Sequence, residues 1–331
     1  MAVVYFALFS LLLLPPLAVL ILLYFIVRPR PAKITIKNRH VFITGGSSGI
    51  GLALAHQAVA EGARVSILAR SVDKLEQARN SIRLSTAIDV AVYSADVRDY
   101  DALKRAVDEA GPIDELIVNH GVFWAAEIEK EELVGVKFIM DVNLMGSFNV
   151  IKAALPAMKN RMDRGPASIA IVSSLAGQVG IYGYTAYAAS KFGLRGLAEA
   201  LQQEVIADNI RVSLIFPPDT DTPGLSEENK KKPQITSLIA SSGGLMKADE
   251  VARRALKGIK SGSFFIPCNF EGYLLALGVS GFSPQSSFLM AFVEVFAAGI
   301  LRLAMLFFQW DWYRSIEKFH AQRNAGNMPP L

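Results

Sequence analysis

Cysteine is nearly absent. The 331-residue chain holds one, Cys268, which excludes an internal disulfide and fits a reducing compartment. Histidine is sparse too: His40, His56, His120 and His320 show no metal-ligand spacing, so no metal centre is expected. A strong charge bias is missing, since 34 basic residues against 30 acidic ones leave a formal charge of only +4. No basic–aromatic pattern points to nucleic acid, and no repeat or low-complexity tract breaks the chain. Charge itself is missing from two long stretches, Met1 to Val27 and Gly272 to Val293. These help to raise the hydrophobic share to 52% and the mean hydropathy to +0.32, high for a soluble enzyme.

Two motifs stand out in what remains. Residues 41–51 read VFITGGSSGIG, an apolar run followed by a glycine turn and an apolar-periodic segment, LALAHQAVA. That is a strand, a tight turn and a helix start. Glycine lets the backbone approach a pyrophosphate, and the helix N-terminus presents unpaired N–H groups. Here Gly45, Ser47, Ser48, Gly49, Ile50 and Gly51 form the candidate phosphate cradle, with GxxxGxG spacing rather than the commoner GxGxxG. The second motif runs from Ser174 to Lys191. Tyr187 and Lys191 stand four apart (YAASK), so one helix face carries phenol and ammonium together. A cation beside a phenol favours the phenolate, and a shift of three pKa units needs roughly 4 kcal/mol. Ser174, thirteen residues earlier, supplies a hydroxyl to hold a carbonyl oxygen beside that phenol.

Taken together the motifs resemble the short-chain dehydrogenase/reductase family over roughly residues 38–270. The resemblance implies a Rossmann-type α/β fold, a doubly wound parallel sheet of about seven strands. The runs HVFITG, RVSILAR, VAVYSAD, ELIVNHG, SIAIVSS, IRVSLIFP and SFFIP are the expected strands. It also implies roles. Tyr187 is the proton donor in reduction, Ser174 orients the carbonyl, and Lys191 lowers the Tyr187 pKa and holds the nicotinamide ribose. Asn143 fixes a water that links Lys191 to solvent. Asp96, with Val97 beside it, sits where the family contacts adenine. Asn119 lies in VNHG, where the family has NNAG, so Val118 and His120 depart from the pattern and put the strand support in doubt. Pro217 and Thr222 bracket the loop at the nicotinamide end, with Pro218 in place of the family's glycine.

Cofactor choice rests on the end of the second strand. An NAD-preferring site places Asp or Glu there, whereas this chain has Ala69 and then Arg70, suited to the 2′-phosphate of NADP(H). The other reading of Arg70 is a solvent-facing residue at a helix start.

The uncharged stretches suggest where the chemistry happens. Residues 1–27 would make a helix of about 40 Å, enough to cross a ~30 Å bilayer core, although Pro15-Pro16 also allow a hairpin. A basic linker follows at residues 28–37, with Arg28, Arg30 and Lys33, and basic flanks favour a cytosolic enzyme domain. Residues 271–331 form a second apolar region, which Gly281, Ser283 and Pro284 break into two helices, either membrane-associated or a dimer contact or cap. A homo-oligomer therefore stays open. Between Pro217 and Gly244 a polar segment carrying SEENKKKP and ending at Gly243-Gly244 has the family's place for a substrate lid, its lysines read as solvated.

The PPDTDTPG loop is similar to that of the family branch that reduces 3-ketosphinganine with NADPH at the cytosolic face of the endoplasmic reticulum. On this resemblance Asp219 and Asp221 either attract the substrate's ammonium or cap a helix. The alternatives are a membrane-bound dehydrogenase acting on a steroid, retinoid or long-chain acyl ketone, and a catalytically silent NADP(H)-binding scaffold.

Overall fold

The computed structural model describes residues 1–161, 165–230, 232–240 and 244–325. Nine strands occur among them: β1 (His40–Thr44), β2 (Arg64–Ala69), β3 (Ala91–Ser94), β4 (Glu115–Val118), β5 (Ala167–Val172), β6 (Ile210–Phe216), β7 (Thr220–Asp221), β8 (Met246–Lys247) and β9 (Phe265–Pro267). Seven of them build one parallel sheet in the order β3-β2-β1-β4-β5-β6-β9. They are the seven runs read from the sequence. Near-continuous apolar strands are what a sheet covered on both faces requires, and β1, β4 and β5 are buried at every position.

One face packs on α2 (Gly49–Ala60), α3 (Val72–Thr86) and α10 (Ala248–Lys260); the other on α4 (Tyr100–Ala110), α6 (Gly146–Lys159) and α7 (Thr185–Val205). Strand order reverses at β1, which pairs with β2 on one side and β4 on the other. A crevice at the carboxyl ends of the strands follows from that reversal, and ligands of open α/β sheets bind there. A helix α5 (Leu133–Met140) runs into α6 through a π-helical turn, Asp141–Met145. Such turns often mark functional sites.

Several expectations change here. Residues Ala2–Ile26 form a single helix, α1, with Pro15 and Pro16 inside it, so the hairpin is not formed. The basic linker is not a free spacer: Ile34 and Ile36 are buried, and the Ile34 N–H donates to the Lys260 carbonyl at 2.9 Å. The polar segment after Pro217 folds into α8 (Pro223–Asn229), α9 (Gln234–Ala240) and the small β7–β8 pair. Gly243 and Lys231 lie outside the described residues. Lys232 of the lysine run is not solvated; its ammonium sits 3.2 Å from Asp219 and 3.3 Å from Glu228. Past the core, α11 (Phe270–Gly278) and α12 (Phe288–Asn324) are separated at the Ser283-Pro284 break, but α12 then runs unbroken for 37 residues.

Candidate active site

The glycine turn comes first because it is the most constrained. Gly45 and Gly49 adopt φ of +64° and +54°, a region that side chains rarely enter. A Cβ on Gly45 would lie 2.9 Å from the His120 Cα, and one on Gly49 2.9 Å from the Thr222 methyl. Gly51 sits behind the turn, where a Cβ would collide with the Gly45 carbonyl and the Asn119 amide. The loops after β1 and β4 are thus closely packed, and Asn119 ties them by donating to the Gly45 carbonyl at 3.2 Å. Ser47, Ser48, Gly49, Ile50, Arg70, Asp96, Val97, Asn119 and Thr222 line one continuous cleft with Gly45. A cradle that admits no Cβ, at a helix N-terminus, fits a pyrophosphate.

His120, which departs from the family pattern, supplies the strand support placed in doubt. Its Nε2–H donates to the Val142 carbonyl (3.2 Å), leaving Nδ1 to accept from the Thr44 hydroxyl (2.8 Å). The Thr44 oxygen in turn accepts from the Asn119 N–H at 3.0 Å. Burial, followed by the Lys191 charge, lowers the His120 pKa to about 4, so the ring is a neutral brace.

A second cleft shares Ile50, Asn119, Gly121, Val122 and Thr222 with the first and contains Ser174, Tyr187, Lys191 and Pro217. Tyr187 and Lys191 both rise from α7, with the ammonium 5.7 Å from the ring centroid. Ser174 follows β5 and lines the same cleft as the Tyr187 phenol. Its neighbour Ser173 is buried and donates to the Lys191 carbonyl at 3.2 Å. Asn143 lies in the π-helical turn and lines neither cleft. Its amide donates to the Val122 carbonyl (2.8 Å) and to Ser190 (3.0 Å), while its oxygen accepts the Val122 N–H (2.8 Å). Both amide hydrogens are therefore spent on the protein. Asn143 thus braces the loop at Gly121–Val122.

Another correction concerns the phenol. Lys191 was expected to lower its pKa, yet burial raises it well above the usual value, with Glu228 and Asp219 adding to the rise and the Ser174 hydrogen bond opposing it. Lys191 is itself pushed down to about 8 by burial and donates to the Val172 carbonyl at 3.0 Å. Desolvation of the ring, helped by two nearby carboxylates, sets the direction. Tyr187 holds its proton at neutral pH.

The family model for short chain dehydrogenases matches residues 39–233, more than half of the chain. This chain is a short-chain dehydrogenase. Such an oxidoreductase takes a nicotinamide cofactor in its Rossmann cleft. Similar proteins include the 3-dehydrosphinganine reductases TSC10A and TSC10B of Arabidopsis thaliana. TSC10A is 66% identical over 89% of this chain and 90% of its own length, TSC10B 63% over 96% of each. The 3-ketodihydrosphingosine reductase of Mus musculus is 37% identical over 93% of this chain and 95% of its own. A solved short chain dehydrogenase/reductase family protein superposes with a TM-score of 0.61 at 26% identity, covering 71% of this chain and 98% of that one.

In this dehydrogenase the candidate catalytic cleft also holds residues the sequence reading missed. Glu228 of α8 lines it, accepts a hydrogen bond from Tyr184, and shares Lys232 with Asp219. Desolvation raises its pKa. Its only sequence signal was its place in the polar loop. Asp219 lines the cleft, whereas Asp221 is exposed on β7, so one of the two aspartates is at the site. Neither caps α8: Thr222 does, its hydroxyl accepting from Leu225 N–H at 3.2 Å. Lys74 joins Arg70 at the cofactor cleft, one turn into α3. Leu275 of α11 and Trp312 of α12, far outside the matched region, complete the catalytic cleft.

Proposed function

We propose that this dehydrogenase reduces the ketone of 3-ketosphinganine to the alcohol of sphinganine in long-chain-base synthesis, using NADPH. One observation carries the reading: Ser174, Tyr187 and Lys191 share a cleft with Asp219 and Glu228. The first three suit a carbonyl. The carboxylates suit a cationic amine beside it, because among the described residues Lys232 alone bridges the two, and the ionised pair keeps a net negative charge. The curated relatives named for this reaction support the same substrate.

Held in the Rossmann cleft, a nicotinamide cofactor would supply the hydride for the carbonyl carbon. Tyr187 donates its proton to the carbonyl oxygen, and Ser174 holds that oxygen beside the phenol and stabilises its developing charge. Lys191 is assigned to the cofactor ribose and to the positive field around the oxygen. Asn143 is a positioning residue, fixing Gly121 and Val122 between the two clefts. Ser47, Ser48, Gly49, Ile50 and Gly51 would hold the pyrophosphate with Gly45, Asp96 and Val97 would flank the adenine, and Pro217 and Thr222 would meet the nicotinamide end.

Arg70 and Lys74 line the cofactor cleft without an acidic residue at the end of β2, which supports NADPH over NADH. Arg70→Ala is expected to raise KM for NADPH about 10- to 100-fold, the worth of a charge-assisted hydrogen bond, with little change for NADH. Steady-state kinetics with both cofactors check this, and an equal effect on the two refutes the assignment. Asp219→Asn is expected to raise KM for 3-ketosphinganine about tenfold while leaving that for a long-chain ketone lacking the amino group unchanged. Parallel increases would remove the amine-recognition role.

We further assign the enzyme to the endoplasmic reticulum membrane with the catalytic domain in the cytosol. The uncharged α1 and the basic residues Arg28, Arg30 and Lys33 after it support that orientation. NADPH oxidation by the purified chain with 3-ketosphinganine tests the whole reading; turnover on a steroid ketone in its place overturns it.

A further inference from the structure

Helix α12 is long and apolar enough to cross a bilayer by length and composition. Its contacts describe a different placement. Near its start Ala291 is buried, and the Tyr273 hydroxyl of α11 lies 3.8 Å from the Met290 sulfur. In the middle, Met305 and Leu301 lie over Gly278 at the end of α11. Near its end Phe319 is buried with Ile235 and Ile239 of α9, beside Trp312 and Ile316. The last turns are fastened by polar contacts: Tyr182 donates to Glu127 at 2.5 Å and meets His320 at 3.2 Å, and Arg323 reaches Glu127 at 3.4 Å. From Ala291 to Phe319 the helix therefore follows the enzyme body for about 42 Å. A span over that stretch would carry Tyr182, Glu127 and α11 into hydrocarbon, where their polar groups lose water.

The opposite face is also distinctive. Leu289, Val293, Phe296, Ile300, Leu303, Phe307 and Trp310 recur at spacings of three and four and are all exposed, Ile300 and Leu303 at 73% and 70%. An outward stripe of seven bulky apolar residues on one helix is far more than a soluble surface carries. It lies on the helix that meets the uncharged α1, through Tyr24 and Phe288 with ring centroids 5.4 Å apart.

We propose that α12 lies along the membrane surface, its outer stripe in the lipid, and that its inner face, through Trp312 with Leu275 and Ile239, walls the end of the catalytic cleft that receives the alkyl chain of a lipid ketone. One helix diameter, about 10 Å, then separates lipid from cleft. The second half of the proposal rests on the lipid-ketone reading; the first does not.

Two experiments separate them. Single cysteines replacing Phe282, just before α12, and Glu317, in its last turns, are exposed to a membrane-impermeant maleimide in sealed vesicles carrying the full chain; native Cys268 is buried and silent. Both sites behaving alike supports a helix lying on one side. One site reacting and the other only after detergent means a span and overturns the proposal. Trp312→Ala is then assayed on 3-ketosphinganine and on an analogue whose chain is cut to a few carbons. The expected result is an increase of about tenfold in KM for the long substrate and a clearly smaller one for the short substrate. Equal losses, or none, overturn the wall. Absence of wild-type turnover on both ketones would instead count against the proposed function and leave the labelling result standing.

Discussion

Tyr187→Phe is expected to reduce kcat for ketone reduction by about 10³-fold or more, at the upper part of the range for a removed general acid. The structure favours a large effect because, among the described residues, the nearby Lys191 and Tyr184 are already engaged with other partners. Lys191 donates to the Val172 carbonyl, and Tyr184 donates to Glu228. The variant removes one oxygen from a partly buried ring that packs edge-on to Phe123 at 6.1 Å, so shape and packing are preserved. NADPH binding, followed by fluorescence, should stay within a few-fold of wild type. Retained turnover would refute the proton-donor assignment. Loss of turnover together with loss of cofactor binding would show that the oxygen served the cofactor cleft.

Lys191→Met is expected to lower kcat/KM by roughly 10²-fold, on the scale of removing one charge from a preorganised site. A pH profile makes the prediction sharper. Burial holds the Lys191 amine at about 8, below its ordinary value, so it is charged below that pH and loses its proton as pH rises through it. Wild-type kcat/KM should accordingly be level near neutrality and fall above about pH 8. The Met variant should lose that alkaline limb. The shift comes from desolvation, so the charged amine costs stability below pH 8, and the variant is expected to melt no lower than wild type. A lower melting temperature would attribute the activity loss to misfolding. An unchanged alkaline limb would assign it to another group.

Much of the site was legible because its chemistry is local in sequence. The turn from Gly45 to Gly51 needs glycine where φ is positive and where a Cβ would strike the next loop, and both needs leave fixed letters at fixed spacing. Tyr187 and Lys191 share a face because a helix repeats every 3.6 residues. The strands were legible as apolar runs because both faces of the sheet are covered. Glu228 was not, since its significance depends on α8 folding back over α7 to meet Tyr184 and Lys232. Lys232 was misread for the same reason: a lysine in a polar loop reads as solvated until two carboxylates are seen around it.

The amino-acid sequence by itself determined the parallel sheet, through its apolar runs, and the family and the candidate Ser174–Tyr187–Lys191 set, through motifs that resemble the family's. Only the tertiary structure decided which way the Tyr187 pKa moves, because desolvation and the charges of Asp219 and Glu228 act through space. It alone decided, too, that α12 follows the enzyme body and brings Trp312 to the cleft. Hydropathy counts apolar residues along a helix, but which neighbour each face meets is set by contacts between segments distant in sequence, such as Phe319 with Ile235 and Arg323 with Glu127.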